Sequence, residues 1–391
     1  MQVLEDFRLV SGILIETISI IAGDKMQLAR KNVQNITPYV GGRPIEEIKR
    51  QFRLKEVIKL ASNENPLGGS PKAVRAMQKA LKSVNRYPDG QGFYLKKGLA
   101  EFLKVEPENL VLGNGSDELI DIIIKTFVED DENIVTSEVT FLEYEIISKV
   151  NNKKVITVPL KSFKYDLAGL KNAISDKTKL VFIANPNNPT GTYLTKGQIQ
   201  DFLKGLPEHV IVVLDEAYDT FIDVDDYPSG LDYFKDANVI TLKTFSKGYG
   251  LAGLRIGYAI ARKEFTSFME RVRQPFNTNL IAQEAALAAL GDKAFLKKAR
   301  RINAEGKKYF SSALKQLGIF YVDSVTNFIL MDVQEDGVGL FKKMLEKGVI
   351  VRDMKQYNLN NFIRVTIGTE KENKRFISVL KEIKFDKRRA K

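Results

Sequence analysis

Three short segments gather residue types that can do chemistry together: Asn185-Pro-Asn-Asn-Pro-Thr-Gly191, Asp215-Glu-Ala-Tyr218 and Thr244-Phe-Ser-Lys247. Each follows an apolar run of strand length, namely Leu180–Ala184, Val210–Leu214 and Val239–Lys243. In a parallel sheet the C-terminal ends of such strands line one crevice, so an Asn, an Asp, a Tyr and a Lys would meet at its mouth. A lysine in that place can act as a nucleophile that forms a Schiff base. A carboxylate on the neighbouring strand can pair with a pyridinium nitrogen, the arrangement by which pyridoxal 5′-phosphate (PLP) becomes an electron sink. Ser246, Arg255 and the backbone N–H groups of Gly115-Ser116-Asp117 at a helix start supply what a phosphate needs.

The elements that must position these residues follow from periodicity. Between about residues 107 and 290 short apolar runs alternate with helical patterns. Besides the three runs above, strands are expected at Leu110–Leu112, Asn133–Thr136, Val155–Val158 and Arg255–Ile260. A helix is expected over Ser116–Phe127, with Ser116 as its N-cap and Leu119, Ile122 and Ile123 on one face. The expected fold is therefore α/β, a mainly parallel central sheet with helices on both faces. After an Ala-rich helix, Leu280–Leu290, and a long basic helix, Lys293–Gly318, the pattern changes to FYVDSVTNFILMDV, a helix near Val338–Lys347, GVIVRD and NFIRVTIG, which reads as a smaller α+β domain. The expected boundaries are an N-terminal extension over 1–30, an arm over 31–65 that joins the small domain and dimer contacts, a large domain over 66–290 and a small one over 291–391.

Composition removes other chemistries. With 391 residues and 44% hydrophobic content the chain can bury a sizeable core. It has no Cys and one His, His209, which excludes disulfides, thiolate zinc sites, cysteine nucleophiles and His-rich metal centres. His209 precedes the run VIVVL and reads as a loop or strand-start residue; no metal site is expected. The net charge of +11 comes from lysines scattered along the chain, and the one dense basic run, KFDKRRAK at the C-terminus, reads as a solvated tail. No nucleic-acid partner is expected. Leu9–Ala22 is apolar but short, carries Glu16 and follows Glu5 and Asp6 in place of basic residues, a poor membrane span and a poor signal peptide. Residues 1–25 are expected to be an appended extension, with a surface amphipathic helix as the alternative. The expected location is the cytoplasm.

One pattern misleads. Gly248-Tyr249-Gly250-Leu251-Ala252-Gly253 matches the dinucleotide fingerprint G-x-G-x-x-G, yet it lies late in the chain and runs into a strand instead of opening a helix.

From about residue 35 to the end the sequence resembles the fold-type I PLP-dependent aminotransferases of class I/II, most closely the branch acting on histidinol phosphate. The matching stretches are Ile36–Tyr39, Leu60–Leu67, Arg86–Asp89, Gly113–Glu118, Asn185–Gly191, Asp215–Tyr218, Thr244–Gly257 and Asn361–Thr369, in family order. The resemblance implies PLP as cofactor and a homodimer with shared active sites. It makes Lys247 the Schiff-base lysine and proton-transfer base, and Asp215 the partner of the pyridine nitrogen. Tyr218 and Asn188 bind the ring oxygen, and Phe141 stacks on the ring. Ser116, Asp117, Ser246 and Arg255 bind the phosphate, with Tyr87 reaching it from the neighbouring subunit. Arg364 takes the substrate carboxylate, and Arg352 and Tyr39 stand on the substrate side. Where the family usually has Pro-Thr before the stacking aromatic, this chain has Val139-Thr140.

The implied reaction is amino-group exchange between histidinol phosphate and 2-oxoglutarate, in histidine biosynthesis; aromatic amino acids, or decarboxylation of threonine phosphate, are the alternatives on the same fold. A ligand-sensing transcription regulator is the reading from another class, but the roughly 30 residues before the first matching stretch leave no room for a helix-turn-helix unit. Bland readings also stand at this stage. Asp215 and Tyr218 could be a polar pair beneath a loop, Phe141 plain core, Arg352 structural and Arg364 a surface ion pair.

Overall fold

The structure, a computed structural model, describes residues 28–38 and 41–385. Leu9–Ala22, Tyr39 and the end of the basic tail from residue 386 lie outside the described residues. The chain divides into two units, Met1–Pro38 and Tyr39–Lys391. In the first, the described residues hold one helical turn, Lys31–Gln34, whose Gln34 side chain donates to the carbonyl of Ala29.

The second unit is built on a seven-stranded sheet. In chain order its strands are β2 (Leu110–Gly113), β3 (Asn133–Ser137), β4 (Lys154–Val158), β5 (Thr178–Ala184), β6 (Ile211–Asp215), β7 (Val239–Thr244) and β8 (Gly257–Ile260), following the short β1 (Ile58–Lys59). They lie side by side as β2-β8-β7-β6-β5-β3-β4. All are parallel except β8, which runs antiparallel between β2 and β7. Except for the edge strand β4, which is largely open to solvent, the strands are nearly continuous buried runs because both faces are covered. Alternate residues serve opposite faces. Ile134, Leu180, Ile211 and Val213 pack with the helix Ser116–Phe127, whereas Val135, Val181, Val212 and Leu214 pack with Leu170, Ile199 and Phe202 of the helices on the other side.

A second core surrounds a three-stranded antiparallel sheet made of β9 (Phe328–Asp332), β11 (Arg352–Asp353) and β12 (Phe362–Thr366), in the order β11-β12-β9. Phe310, Leu314, Met344, Phe376 and Leu380 fill it from the helices Lys293–Gln316, Gly337–Glu346 and Glu370–Phe385. Leu60 belongs to this core as well, and β1 pairs in parallel with β10 (Val349–Ile350). Among the described residues no helix is long and apolar enough to cross a membrane.

Two local expectations are corrected. Ser116 is the first helical residue and Gly115 is the cap, because the chain leaves β2 through a turn that needs φ 86° at residue 115. The strand expected from Arg255 begins at Gly257, because Arg255 closes a short turn, Ala252–Leu254, in the left-handed conformation with φ 54°. Two of the three glycines of the false dinucleotide pattern serve packing, and Gly253 faces open space. A Cβ at Gly250 would meet the Gly68 carbonyl at 2.0 Å, and one at Gly248 would meet Thr220 at 2.2 Å.

Candidate active site

The C-terminal ends of β5, β6 and β7 open onto a cavity of about 320 Å³. Ser116, Asp117, Phe141, Asn188, Asp215, Tyr218, Ser246, Lys247, Arg255, Arg352 and Arg364 all line it, so eleven residues singled out in the sequence meet in one place. Tyr87 does not. It is 82% exposed and stacks on Phe276, with ring centroids 4.8 Å apart. Tyr39 lies outside the described residues.

Asp215 ends β6 on the cavity floor and is buried. The hydroxyl of Tyr144 donates to its Oδ2 at 2.8 Å, and the backbone N–H of Ala217 donates to Oδ1 at 3.0 Å. Burial pushes the Asp215 carboxyl up to about 6 from 3.8, against the opposing pull of these two hydrogen bonds. A carboxylate that is costly to ionise alone is suited to a cationic partner on its open side.

Lys247 follows β7 by three residues. Its Nζ donates to the carbonyl of Ser62 at 3.3 Å and lies 5.6 Å from the centre of the Tyr218 ring. The Tyr218 hydroxyl accepts a hydrogen bond from Asn63 Nδ2 at 2.9 Å. Phe141 packs edge-on against Tyr144, with centroids 5.6 Å apart, and its loop is pinned by Asn187, which accepts from Thr140 Oγ1 and donates to the Val139 carbonyl. Val139 itself packs with Val322, Leu330 and Met354, so an apolar contact holds this loop where the family usually has proline.

On one side of the cavity the start of the helix Ser116–Phe127 meets Arg255. The guanidinium lies 3.0 Å from Asp117 Oδ2 and 3.5 Å from Ser246 Oγ. A Cβ at Gly115 would come within 2.5 Å of Arg255 Nη2, and one at Gly257 within 2.9 Å of the Ser116 amide nitrogen, so both glycines keep this cradle open. Near it Glu143 also lines the cavity, its carboxyl raised by burial and by the charge of Asp117. On the other side stand Arg364, which donates to Asn188 Oδ1 and to the Ala61 carbonyl, and Arg352, which donates to Gln356 Oε1 at 2.7 Å. Both arginines are buried, which removes the surface ion-pair reading of Arg364.

Sequence reasoning missed Tyr144, Asn63, Ser62, Glu64 and Tyr357, all at or beside the cavity. Tyr144 stands three residues after Phe141, and its backbone N–H donates to the Phe141 carbonyl at 3.1 Å, a spacing that could have placed it beside that aromatic. Asn63 lies inside the matching stretch Leu60–Leu67 with no role attached to it.

The model of the family "Aminotransferase class I and II" matches residues 55–380. The histidinol-phosphate aminotransferase of Moorella thermoacetica is 48% identical over 356 residues, covering 90% of this chain and 92% of that protein. The histidinol-phosphate aminotransferase of Desulfotalea psychrophila is 44% identical over 356 residues, covering 90% and 94%. Among solved structures, histidinol-phosphate aminotransferase from Sinorhizobium meliloti in complex with pyridoxal-5′-phosphate has a TM-score of 0.84 at 28% identity and covers 92% of this chain and 99% of that one. A family match across most of the sequence, joined to such a cavity at the strand ends, makes this chain a member of the class I and II aminotransferases.

Proposed function

We propose that the protein is a PLP-dependent transaminase that exchanges the amino group between histidinol phosphate and 2-oxoglutarate, giving imidazole acetol phosphate and L-glutamate in histidine biosynthesis. The observation that carries this reading is a cavity with two separate anion seats, Ser116-Ser246-Arg255 and Arg352-Arg364, and one lysine, Lys247, lining it with them. The names of the relatives support the same substrate.

The residues present fit PLP. The glycine-walled cradle at Gly115 suits a phosphate, and the buried Asp215 carboxyl, raised to about 6, suits a ring nitrogen that carries a proton. When bound, PLP supplies an electron sink for charge that develops at the substrate α-carbon. Lys247 Nζ would hold the cofactor and would serve as the base that moves the proton at the substrate α-carbon. Asp215 holds the proton on the ring nitrogen, with Tyr144 and the Ala217 amide fixing its two oxygens. Tyr218 and Asn188 would bind the ring oxygen and Phe141 would pack on the ring, as all three line the cavity. Ser116, Ser246 and Arg255 bind the phosphate, Asp117 orienting Arg255. Arg364 and Arg352 bind the substrate anions, a carboxylate from glutamate or a phosphate from histidinol phosphate.

In this reading the large body over 66–290 and the small one over 291–391 face each other across the cavity, with residues 31–65 as an arm. The enzyme works in the cytoplasm as a homodimer on small molecules, with neither nucleic acid nor membrane as partner. Tyr87 supports the dimer, since it is exposed, away from its own cavity, and set beside the exposed Phe93 and Tyr94 in the sequence. Single-turnover measurements that follow the cofactor spectrum with histidinol phosphate, phenylalanine, tyrosine, glutamate and threonine phosphate test the proposal. Fast conversion is expected with histidinol phosphate and glutamate. Fast conversion by phenylalanine with none by histidinol phosphate would move the enzyme to the aromatic class, and carbon dioxide release from threonine phosphate would make it a decarboxylase.

A further inference from the structure

The Tyr218 hydroxyl receives a hydrogen bond where it is needed as a donor. Asn63 Nδ2 donates to it at 2.9 Å. A phenol carries one proton, and an oxygen that accepts an N–H from one side turns that proton away from it. Among the described residues the Tyr218 hydroxyl donates to no protein acceptor, and Tyr218 lines the cavity, so its proton is directed into the open space. An amide turned over by half a rotation would do the opposite, since Asn63 Oδ1 would then face the hydroxyl and draw its proton out of the cavity.

Thr366 opposes that rotation, because its hydroxyl proton would lose the Asn63 oxygen as acceptor. Its Oγ1 accepts the backbone N–H of Asn63 at 2.9 Å and donates its own proton to Asn63 Oδ1 at 3.2 Å. The carbonyl oxygen of the amide is thereby pinned at Thr366, leaving the NH₂ group for Tyr218. The Asn63 backbone is held in the left-handed region at φ 55°, and its carbonyl accepts from Asn327 Nδ2 at 3.0 Å. Asn63, Thr366 and Asn327 are all almost fully buried, so water does not compete for these bonds. Thr366 lies two residues beyond Arg364 on β12, on the same side of the strand. The relay thus joins the strand that carries a substrate arginine to the tyrosine that meets the cofactor.

We propose that Asn63 is a positioning residue: its side-chain amide sets the direction in which Tyr218 donates its proton, and Thr366 sets the direction in which that amide faces. This inference rests on the reading above, in which Tyr218 donates to the ring oxygen of PLP. Such a donor stabilises the ionised ring oxygen and so weakens the hold on the neighbouring proton of the cofactor linkage.

The test is a pH titration of the visible absorption band of the purified holoenzyme. Tyr218→Phe is expected to raise the midpoint by about 1 pH unit, a roughly tenfold change in the proton equilibrium. Asn63→Gly removes the amide while accepting the positive φ, and is expected to raise the midpoint by about half as much or more. Added to Tyr218→Phe, it should change nothing further. Thr366→Val should shift the midpoint in the same direction, whereas Thr366→Ser, which keeps the hydroxyl, should restore it; this pair decides the matter if Asn63→Gly does not fold. If Tyr218→Phe leaves the midpoint in place, the assignment of Tyr218 fails and the inference falls with it. If Tyr218→Phe shifts the midpoint while Asn63→Gly and Thr366→Val do not, the assignment stands and the inference is overturned. An Asn63→Gly shift of equal size in the Tyr218→Phe background marks a merely structural role and also overturns it.

Discussion

Arg352 and Arg364 stand directly opposite each other in the register of β11 and β12. Both are buried, and both line the cavity. Like charges facing across two strands oppose pairing, so this small sheet keeps a positive site that an anion relieves. Neighbouring groups hold the guanidinium groups in place: Gln356 for Arg352, and Asn188, the Ala61 carbonyl and the Phe328 ring, 5.1 Å away, for Arg364.

The first prediction concerns this pair. If Arg352 meets the substrate phosphate, histidinol phosphate should be used far better than histidinol. Loss of the contact in Arg352→Ala should lower kcat/KM for histidinol phosphate by about 10- to 150-fold and erase most of that preference. Arg364→Ala should also damage the glutamate half-reaction. Steady-state kinetics with both substrates checks this, and an unchanged preference in Arg352→Ala would refute the assignment.

A second prediction concerns pH. Burial pushes the Asp215 carboxyl up to about 6 in the folded apoprotein, from 3.8 when free of its surroundings. Between those values the folded state binds the proton that the unfolded chain has released, so stability falls as pH rises and stays reduced above about 6. Asp215→Asn removes the penalty, and the apo variant should be more stable at pH 8 by at most about 3 kcal/mol, with the gain vanishing toward pH 4. Chemical denaturation of both apoproteins across this range provides the comparison. A gain of equal size at pH 4 would show another origin.

Beneath the site Lys243 on β7 reaches Glu216 Oε2 at 2.6 Å and also binds Asp219. Burial works against its charge, yet Asp219 and Glu216 hold the ammonium well above the ordinary lysine range. The contact ties the end of β7, which leads to Lys247, to the turn that carries Asp215 and Tyr218. Lys243→Met strands the buried Glu216 and should cost about 3–5 kcal/mol of stability, and the added Glu216→Gln should recover part of it. Melting temperatures of the three proteins decide; a single variant as stable as the parent would contradict the role of the pair.

For Tyr87 the expected outcome is complementation. If it serves the partner's phosphate site, mixed dimers of Tyr87→Ala and Lys247→Ala chains contain one site with both lesions and one with neither. Mixing two weak or inactive proteins under subunit exchange at limiting PLP should therefore restore up to about one quarter of parent activity, from random pairing. No recovery despite demonstrated exchange would place Tyr87 outside the shared site.

Much of the site was legible because strand ends are local features. A buried apolar run followed by Asn, by Asp-x-x-Tyr or by Ser-Lys marks a place on the sheet without knowledge of the neighbours, and the structure brings Asn188, Asp215, Tyr218, Ser246 and Lys247 to one cavity. Strand direction was not legible. Periodicity carries no sign, so nothing in Gly257–Ile260 announced that β8 runs against its neighbours. Backbone conformation also escaped: Ser116 has the chemistry of a cap, but the turn at Gly115 takes that place, and Arg255 stays out of the strand because it closes the turn Ala252–Leu254 in the left-handed conformation. Residue types along the chain determined the chemistry available, since a lysine, a buried carboxylate and arginines can do only a few things together. Which groups face one another, Arg352 with Arg364, Tyr144 with Asp215 and Asn63 with Tyr218, was decided only by tertiary structure. Such contacts join residues 12, 71 and 155 positions apart, and their register is set by packing of whole elements, not by neighbours in sequence.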